Sequence, residues 1–303
     1  MCLIAFSWAP GTLSPLVLAS NRDEFWRRPT LPLDTWVLPG GLRVSGGRDL
    51  EAGGTWVGFA DNGSVAMVTN VRRWPPEAAP RSRGALVTSW LGRGQGTGGW
   101  EEWLAHHPAQ AYGGVNLVVG HVTSPPDPDN PWLWLTNREP GPGASAVSMG
   151  HGWWGRSLEP GVYGLSNAAL NTPWPKTVAL KQALVTALSQ ANPWDLDLAG
   201  VAASQNPLLT ALTDARQAPE QSLPHTGVAP DLERVLSAAF VHDATRLYGT
   251  RSSLVAVASG GGLHLHEWTH GVATQPLQGG RWPLTQSVYK CLSMSTWGIP
   301  TSS

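Results

Sequence analysis

The cysteine at position 2 is the residue in this sequence best suited to covalent chemistry. Removal of Met1 would leave a thiol and a free α-amine on one residue. Their reference pKa values are about 8.5 and about 8, so both groups titrate near neutral pH. The amine can therefore take the thiol proton as a general base, which is the principle of an N-terminal nucleophile. The alternative is a structural cysteine, because free cysteine is among the most buried residue types.

The position of Cys2 in a predicted hairpin favours the chemical interpretation. Short apolar runs at 2–8 and 15–20 flank a turn-rich segment, which predicts two antiparallel strands. If the turn centres near Gly11, the partners of Cys2 fall at positions 20 to 22. A polar cluster beside the thiol is an unusual choice for packing alone. The cluster consists of Asn21, Arg22, Asp23 and Glu24.

A second hairpin brings another polar residue to a strand end. The runs 55–59 and 65–69 flank Asn62 and Gly63, and Asn-Gly is the strongest short signal for a hairpin turn. Reflection about Asn62 places Asn70 opposite Gly53 and Gly54. Glycines at that position would allow a backbone or a ligand to approach closely.

The remaining pattern predicts an α+β domain. The first hairpin is apolar on both faces, which indicates a sheet that is covered on both sides. Hairpins rather than βαβ crossovers indicate layered, mainly antiparallel sheets in a single domain spanning 1–303. Further strands are predicted at 115–119, 132–135, 162–165, 252–258 and 263–268, and helices at 82–92, 99–106, 176–190, 195–204, 208–216 and 231–238.

Composition narrows the class of function. The net charge is −1, which gives no general attraction to nucleic acid or to an anionic membrane surface. The sequence has no apolar run long enough for a membrane span and no signal-peptide pattern. It contains two cysteines, too few for a disulfide framework. We expect a cytoplasmic protein whose partner is a small molecule.

Several segments together resemble a known family. Met1-Cys2 followed by Asn21-Arg22-Asp23-Glu24 is typical of the NRDE family, which includes the transport-and-Golgi-organisation proteins. The other matching segments occur in family order. They are Gly53–Gly58, Val68–Val71, Gly164–Asn167, Thr172–Lys176 and Tyr248–Arg251.

The resemblance implies a fold and a set of active-site residues. The family is similar to N-terminal-nucleophile hydrolases of the penicillin V acylase and bile salt hydrolase kind. It thus implies an αββα four-layer sandwich of two mainly antiparallel sheets. The catalytic residues carried over by position are Cys2, Asp23, Asn70, Asn167 and Arg251. Residues expected to contact the substrate are Asn21, Arg22, Glu24, Trp56 and Arg72.

Two functions remain open at this point. One is hydrolysis of a non-peptide amide bond by acyl transfer to Cys2, with no required cofactor. The other is non-catalytic binding and trafficking of haem or of a lipid or acyl-CoA, which the resemblance implies for eukaryotic members of the family. Fold alone does not decide between them.

Other signals are interpreted as structural. His264 and His266 share a face of a predicted strand, but no further ligands complete a zinc site. Arg81 and Arg83 are interpreted as part of a surface loop rather than as the rim of an anion-binding pocket. Cys291 is expected to be a small buried residue.

Overall fold

Two antiparallel sheets form the centre of the protein, and helices cover them. The computed structural model describes residues 2–75, 78–93, 99–122, 131–189, 206–259, 262–271 and 286–293. The helices are α1 (Arg83–Leu91), α2 (Trp100–His106), α3 (Pro175–Ser189), α4 (Pro207–Leu212) and α5 (Pro230–Val235). Short 3₁₀ turns occupy Ala109–Ala111, Pro142–Ala144 and Glu220–Ser222.

The first sheet carries both the N-terminal hairpin and the C-terminal strands. Its order among the described residues is β11-β1-β2-β13-β14-β15, with β12 paired to β13. Its strands are β1 (Cys2–Trp8), β2 (Leu16–Phe25), β11 (Gly161–Leu165), β12 (His242–Asp243), β13 (Tyr248–Ser259), β14 (Gly262–Thr269) and β15 (Gln286–Leu292). Strands from both ends of the chain therefore lie side by side at the centre of this sheet.

The second sheet is built from the segment between these two regions. Its order is β3-β4-β5-β6-β7-β8-β10-β9. Its strands are β3 (Thr30–Val37), β4 (Arg43–Asp49), β5 (Val57–Ala60), β6 (Ser64–Asn70), β7 (Val115–His121), β8 (Leu133–Thr136), β9 (Val147–Gly150) and β10 (Trp153–Ser157).

The side chains of β1 show how the layers stack. Leu3 points to one face of the first sheet and packs in a core with Leu180 and Leu184 of α3. Phe6 points to the other face, where its ring stacks on Trp132 of the second-sheet region. Helix α1 packs on the outer face of the second sheet, against β5 and β6. The order helix, sheet, sheet, helix is the predicted αββα sandwich, which is confirmed.

Both predicted hairpins have the expected register. Cys2 pairs with Arg22, within the interval predicted from a turn near Gly11. In the second hairpin Val57 pairs with Met67, so the turn is centred on Asn62. Register in a hairpin is a local property because the turn fixes it, so the sequence of the turn predicts the register closely.

Other elements differ from the sequence-based predictions. Strands β3, β4, β9, β10, β12 and β15 were not predicted. Helices α4 and α5 are shorter than expected, and the helix predicted at 195–204 lies outside the described residues. The expectation for Cys291 is wrong. Its side chain is exposed because β15 is the edge strand of the first sheet.

Candidate functional site

A cleft of about 420 Å³ opens where β1 begins and β2 and β6 end, near the beginning of α1. This volume lies in the range typical of small-molecule sites. Six of the ten residues proposed from sequence line it: Cys2, Arg22, Asp23, Glu24, Trp56 and Asn70. Other lining residues include Arg28, Asp49, Arg81 and Arg83.

Cys2 is buried at the start of β1, with 7% of its surface exposed. Its carbonyl oxygen accepts a hydrogen bond of 3.4 Å from Oγ of Ser166, the residue that follows β11. This bond helps to hold the start of β1 in place. Burial raises the pKa of the Cys2 thiol, and the charge of Arg22 opposes this only in part. A thiol in this environment therefore needs a nearby base to become a nucleophile.

Asp23 lies beside Cys2 as a buried carboxyl group. Its Oδ1 accepts a hydrogen bond of 2.8 Å from Thr250 Oγ1. Burial raises its pKa, and the positive charge of Lys176 opposes that effect. Lys176 is itself buried near the start of α3, where Nζ donates to the carbonyl oxygen of Leu236 at 2.8 Å. Burial lowers the pKa of Lys176 to about 8.

Arg22 is held between an aromatic ring and a carboxylate. Its guanidinium carbon lies 4.4 Å from the ring centroid of Trp56, a cation–π contact. Its Nη2 lies 3.2 Å from Oδ2 of Asp49. The Trp56 ring can occupy this position because Gly47 lies against it. A Cβ at Gly47 would come within 2.2 Å of the ring.

Asn70 brings a side-chain amide to the cleft from the end of β6. This amide makes no hydrogen bond within the part of the protein that the structure describes. The backbone carbonyl of Asn70 accepts a hydrogen bond of 3.0 Å from Nδ2 of Asn167. Asn167 is buried behind Asn70 and does not line the cleft. The hydrogen bond from Asn167 can therefore position Asn70, but the Asn167 side chain cannot contact a ligand in the cleft directly.

The other proposed residues outside the cleft have structural contacts. Asn21 faces the helical layer, where Nδ2 donates to the carbonyl oxygens of Leu212 and Ala239. Arg72 forms a buried ion pair of 2.6 Å with Glu233.

Arg251 likewise lies outside the cleft lining. Its Nη1 donates to the carbonyl oxygens of Phe25 and Trp26. It thus secures the turn that follows β2. This turn leads to Arg28, which does line the cleft.

Sequence reasoning passed over several residues of the cleft region. Arg83 begins α1 and lines the cleft, so its assignment to a surface loop is wrong. The helix predicted at 82–92 already contained Arg83, but the sequence did not show that the start of this helix would reach the cleft. Asp49 and Arg28 were missed because nothing in the local pattern indicated that β4 would bring Asp49 to Arg22 and Arg28.

Of the glycines at 53 and 54, Gly54 permits a close approach, and the approaching group is the backbone of α1. A Cβ on Gly54 would lie 2.5 Å from the carbonyl oxygen of Gly84. Gly54 also has a positive φ of 80°, which disfavours any other residue. This contact places the first turn of α1, and with it Arg83, at the cleft.

The described residues offer neither a cluster of metal ligands nor a membrane-spanning helix. No group of three or more His, Cys, Asp or Glu side chains within the described ranges could hold a metal ion. Within the same ranges, no helix is long and apolar enough to cross a membrane.

Comparison with known families agrees with the motifs that surround this cleft. The model of the family described as Transport and Golgi organisation 2 matches residues 1–270. The chain belongs to this family. The match confirms the family resemblance, and it includes all six cleft residues proposed from sequence.

Curated relatives carry the same family name. The Transport and Golgi organization 2 homolog of Mus musculus is 30% identical over 278 residues, covering 86% of this chain and 90% of the relative. The Homo sapiens homolog is 32% identical over 211 residues, covering 66% and 70%. Among solved structures, the mutant C2A conjugated bile acid hydrolase from Clostridium perfringens matches with a TM-score of 0.41 and 9% identity. That match covers 98% of this chain and 94% of the hydrolase.

Proposed function

We propose that this protein is an N-terminal-cysteine amidohydrolase that cleaves a non-peptide amide bond of a small molecule. The main support is the convergence of Cys2, Asp23 and Asn70 on one cleft from three different strands. A nucleophile, a carboxyl group able to orient its amine, and an unoccupied amide donor are the groups that acyl transfer requires.

In the proposed reaction, Cys2 acts with its own α-amine after Met1 has been removed. The amine takes the thiol proton while Sγ attacks the carbonyl carbon of the substrate. Asn70 donates its side-chain N–H to the oxyanion that forms. The C–N bond then breaks, and the leaving amine takes the proton from the Cys2 ammonium, which leaves a thioester. Water hydrolyses the thioester, with the α-amine again as the base, and releases the acid and the free thiol.

The environment of the thiol supports the need for this internal base. Because burial raises the pKa of the Cys2 thiol, the sulfur is mainly protonated at neutral pH. The α-amine is on the same residue and can receive that proton directly. Asp23 is assigned the orientation of the amine, and Lys176 keeps a positive charge near the Asp23 carboxyl group.

Binding and trafficking of haem or an acyl-CoA is the alternative. Cys2 is the one residue in the described cleft lining with a side chain that commonly ligates haem iron. Most of the remaining lining is charged, polar or small, with Trp56 as its aromatic member. This lining fits a small polar substrate better than a large apolar macrocycle. Saturable quenching of tryptophan fluorescence by micromolar hemin would favour the carrier function instead.

Amide hydrolysis can be tested with substrates that release a chromogenic amine. A panel of N-acyl amides and the corresponding esters would be offered to protein whose mass shows loss of Met1. We expect amine release together with a transient acyl adduct on Cys2, detected by intact mass. The matched control is Cys291→Ala, because Cys291 is exposed at the edge strand β15.

The two cysteine variants should behave oppositely. Cys2→Ala should form no adduct and release no amine, whereas Cys291→Ala should behave as the wild type. If no amide or ester gives an adduct on Cys2, or if adducts form equally in both variants, the hydrolase proposal is wrong.

A further inference from the structure

The cationic side of the cleft suggests what kind of substrate it accepts. Four arginines line the cleft together with the acidic residues Asp23, Glu24 and Asp49. The capacity of the cleft to bind an anion depends on which of these arginines already form ion pairs with the acidic residues. An arginine that faces a cleft without a carboxylate partner is a candidate ligand for an anion.

Arg28 is already committed to protein carboxylates. Its Nε lies 2.7 Å from Oδ2 of Asp49, and its Nη1 lies 3.0 Å from Oε1 of Glu51. Glu24 is also within 3.7 Å of Arg28 Nε. Arg28 therefore has little capacity left for a substrate, and Asp49 is shared between Arg28 and Arg22.

Arg83, in contrast, forms no ion pair with a carboxylate of the described residues. Among the described residues, its side chain donates one hydrogen bond, a long one of 3.4 Å from Nη1 to the carbonyl oxygen of Gly114. No carboxylate of the described residues lies within ion-pairing distance of it, although Glu24 acts on it from further away. The side chain is half-buried in the cleft, and the charge of Cys2 is among those that act on it.

Arg22 supplies a second unused donor. Its side chain is 4% exposed, and Nη2 is directed to Asp49. Nη1 is buried and has no hydrogen-bond partner among the described residues. A buried donor without a partner is costly, and a ligand acceptor that reached it would recover that cost. Arg22 also pairs with Cys2 across the hairpin, and its positive charge acts on the Cys2 thiol.

We propose that the cleft binds an oxyanionic group of the substrate, a carboxylate or a phosphate, between Arg83 and Nη1 of Arg22. This inference rests on the proposed function, because it places the anion next to the bond that Cys2 would attack. The substrate is then an amide with a negatively charged group close to its scissile bond. Neutral amides lacking this group would be poor substrates, because they leave both donors without an acceptor.

The selectivity of thiol alkylation tests the anion site without knowledge of the substrate. Iodoacetate and iodoacetamide react with the same thiolate, so the ratio of their rate constants cancels the reactivity of Cys2 itself. That ratio reports how strongly the cleft favours the anionic reagent. All measurements would use a Cys291→Ser background at constant ionic strength, with the modified residue identified by peptide mass.

Arg83→Gln is the decisive variant, and Arg81→Gln is its matched control. Arg81 lines the same cleft but is exposed, and its Nη1 donates to the carbonyl oxygen of His106. Arg83→Gln should lower the iodoacetate preference by roughly tenfold or more, the scale of a charge-assisted hydrogen bond. Arg81→Gln should lower it by about twofold or less, because solvent screens an exposed charge. Arg83→Lys should restore part of the preference and also serves if Arg83→Gln fails to fold.

Protection experiments identify the type of oxyanion. Acetate and inorganic phosphate would each be added as competitors of iodoacetate, with chloride at equal ionic strength as the reference. Protection by acetate that Arg83→Gln removes assigns a carboxylate, and the same result with phosphate assigns a phosphate. Equal effects of the two glutamine variants, or no protection by either anion, would overturn the proposal. Alkylation requires no turnover, so these outcomes remain separate from failure of the hydrolase assay.

Discussion

Substitution of Asn70 distinguishes a catalytic protein from one that only binds its ligand. Its side-chain amide makes no hydrogen bond within the described structure, so Asn70→Ala leaves no buried partner unsatisfied. We therefore expect its free energy of unfolding to change by about 0.5 kcal/mol or less. Loss of an oxyanion donor, in contrast, typically costs about 2.7–4 kcal/mol in the transition state, or a roughly 100- to 1,000-fold decrease in kcat.

The assay would compare kcat, KM and melting temperature for Asn70→Ala and Asn70→Asp. KM should change little, because the donor meets a charge that develops only in the transition state. Asn70→Asp should be at least as damaging, since it keeps the side-chain volume and places an anion where the oxyanion forms. The matched control is Asn62→Ala at the opposite end of β6. Asn62 Oδ1 accepts from the backbone N–H of Ser64, far along the strand from the cleft.

The control should lose some stability and keep its kcat. Asn70→Asp with a near wild-type kcat would refute the oxyanion assignment. A shift confined to ligand affinity, with no turnover to lose, would instead favour a carrier.

Three further predictions concern the N-terminus and one buried carboxyl group. The purified protein should lack Met1 by intact mass, and full activity with Met1 retained would exclude the α-amine as the base. Cys2→Ala should abolish turnover while the melting temperature stays within a few degrees, whereas strong destabilisation without any loss of turnover would indicate a structural cysteine. Glu267, which accepts a 2.6 Å hydrogen bond from the backbone N–H of Leu33, has its pKa raised to about 7 by burial. Because its folded-state pKa is raised, its stabilisation is present below about pH 4 and is lost as the pH rises through about 7. Relative to Glu267→Gln, the free energy of unfolding of the wild type should therefore fall by roughly 3 kcal/mol across that interval. Denaturant unfolding at a series of pH values measures this. The same pH dependence of the free energy of unfolding in both proteins would contradict the prediction.

The local features of the site could be predicted from the sequence. The turn of the first hairpin placed the partner of Cys2 at positions 20 to 22, which include Arg22, and the turn of the second hairpin is centred on Asn62 as predicted. Hairpin register depends on the turn and on the few residues that flank it, so short patterns contain the necessary information.

The surroundings of the site could not be predicted in the same way. Asn21 and Arg22 are adjacent in sequence, yet Asn21 is buried against the helical layer and Arg22 lines the cleft. Strand alternation separates their side chains, but only the packing of the sheets decides which side is the cleft. Arg72 was expected at the substrate and instead pairs with Glu233, a residue 161 positions later in the chain.

The sequence by itself predicted the strand that begins at Cys2, a narrow interval for the residue opposite Cys2 and the family to which the chain belongs. The tertiary structure alone decided that Asn70 and Cys2, from different sheets, share one cleft, and that Arg83 enters it from α1. The physical reason is that a single strand or hairpin does not form a cleft. The cleft arises where two sheets and a helix meet, and its charge depends on which arginines find carboxylate partners across those elements.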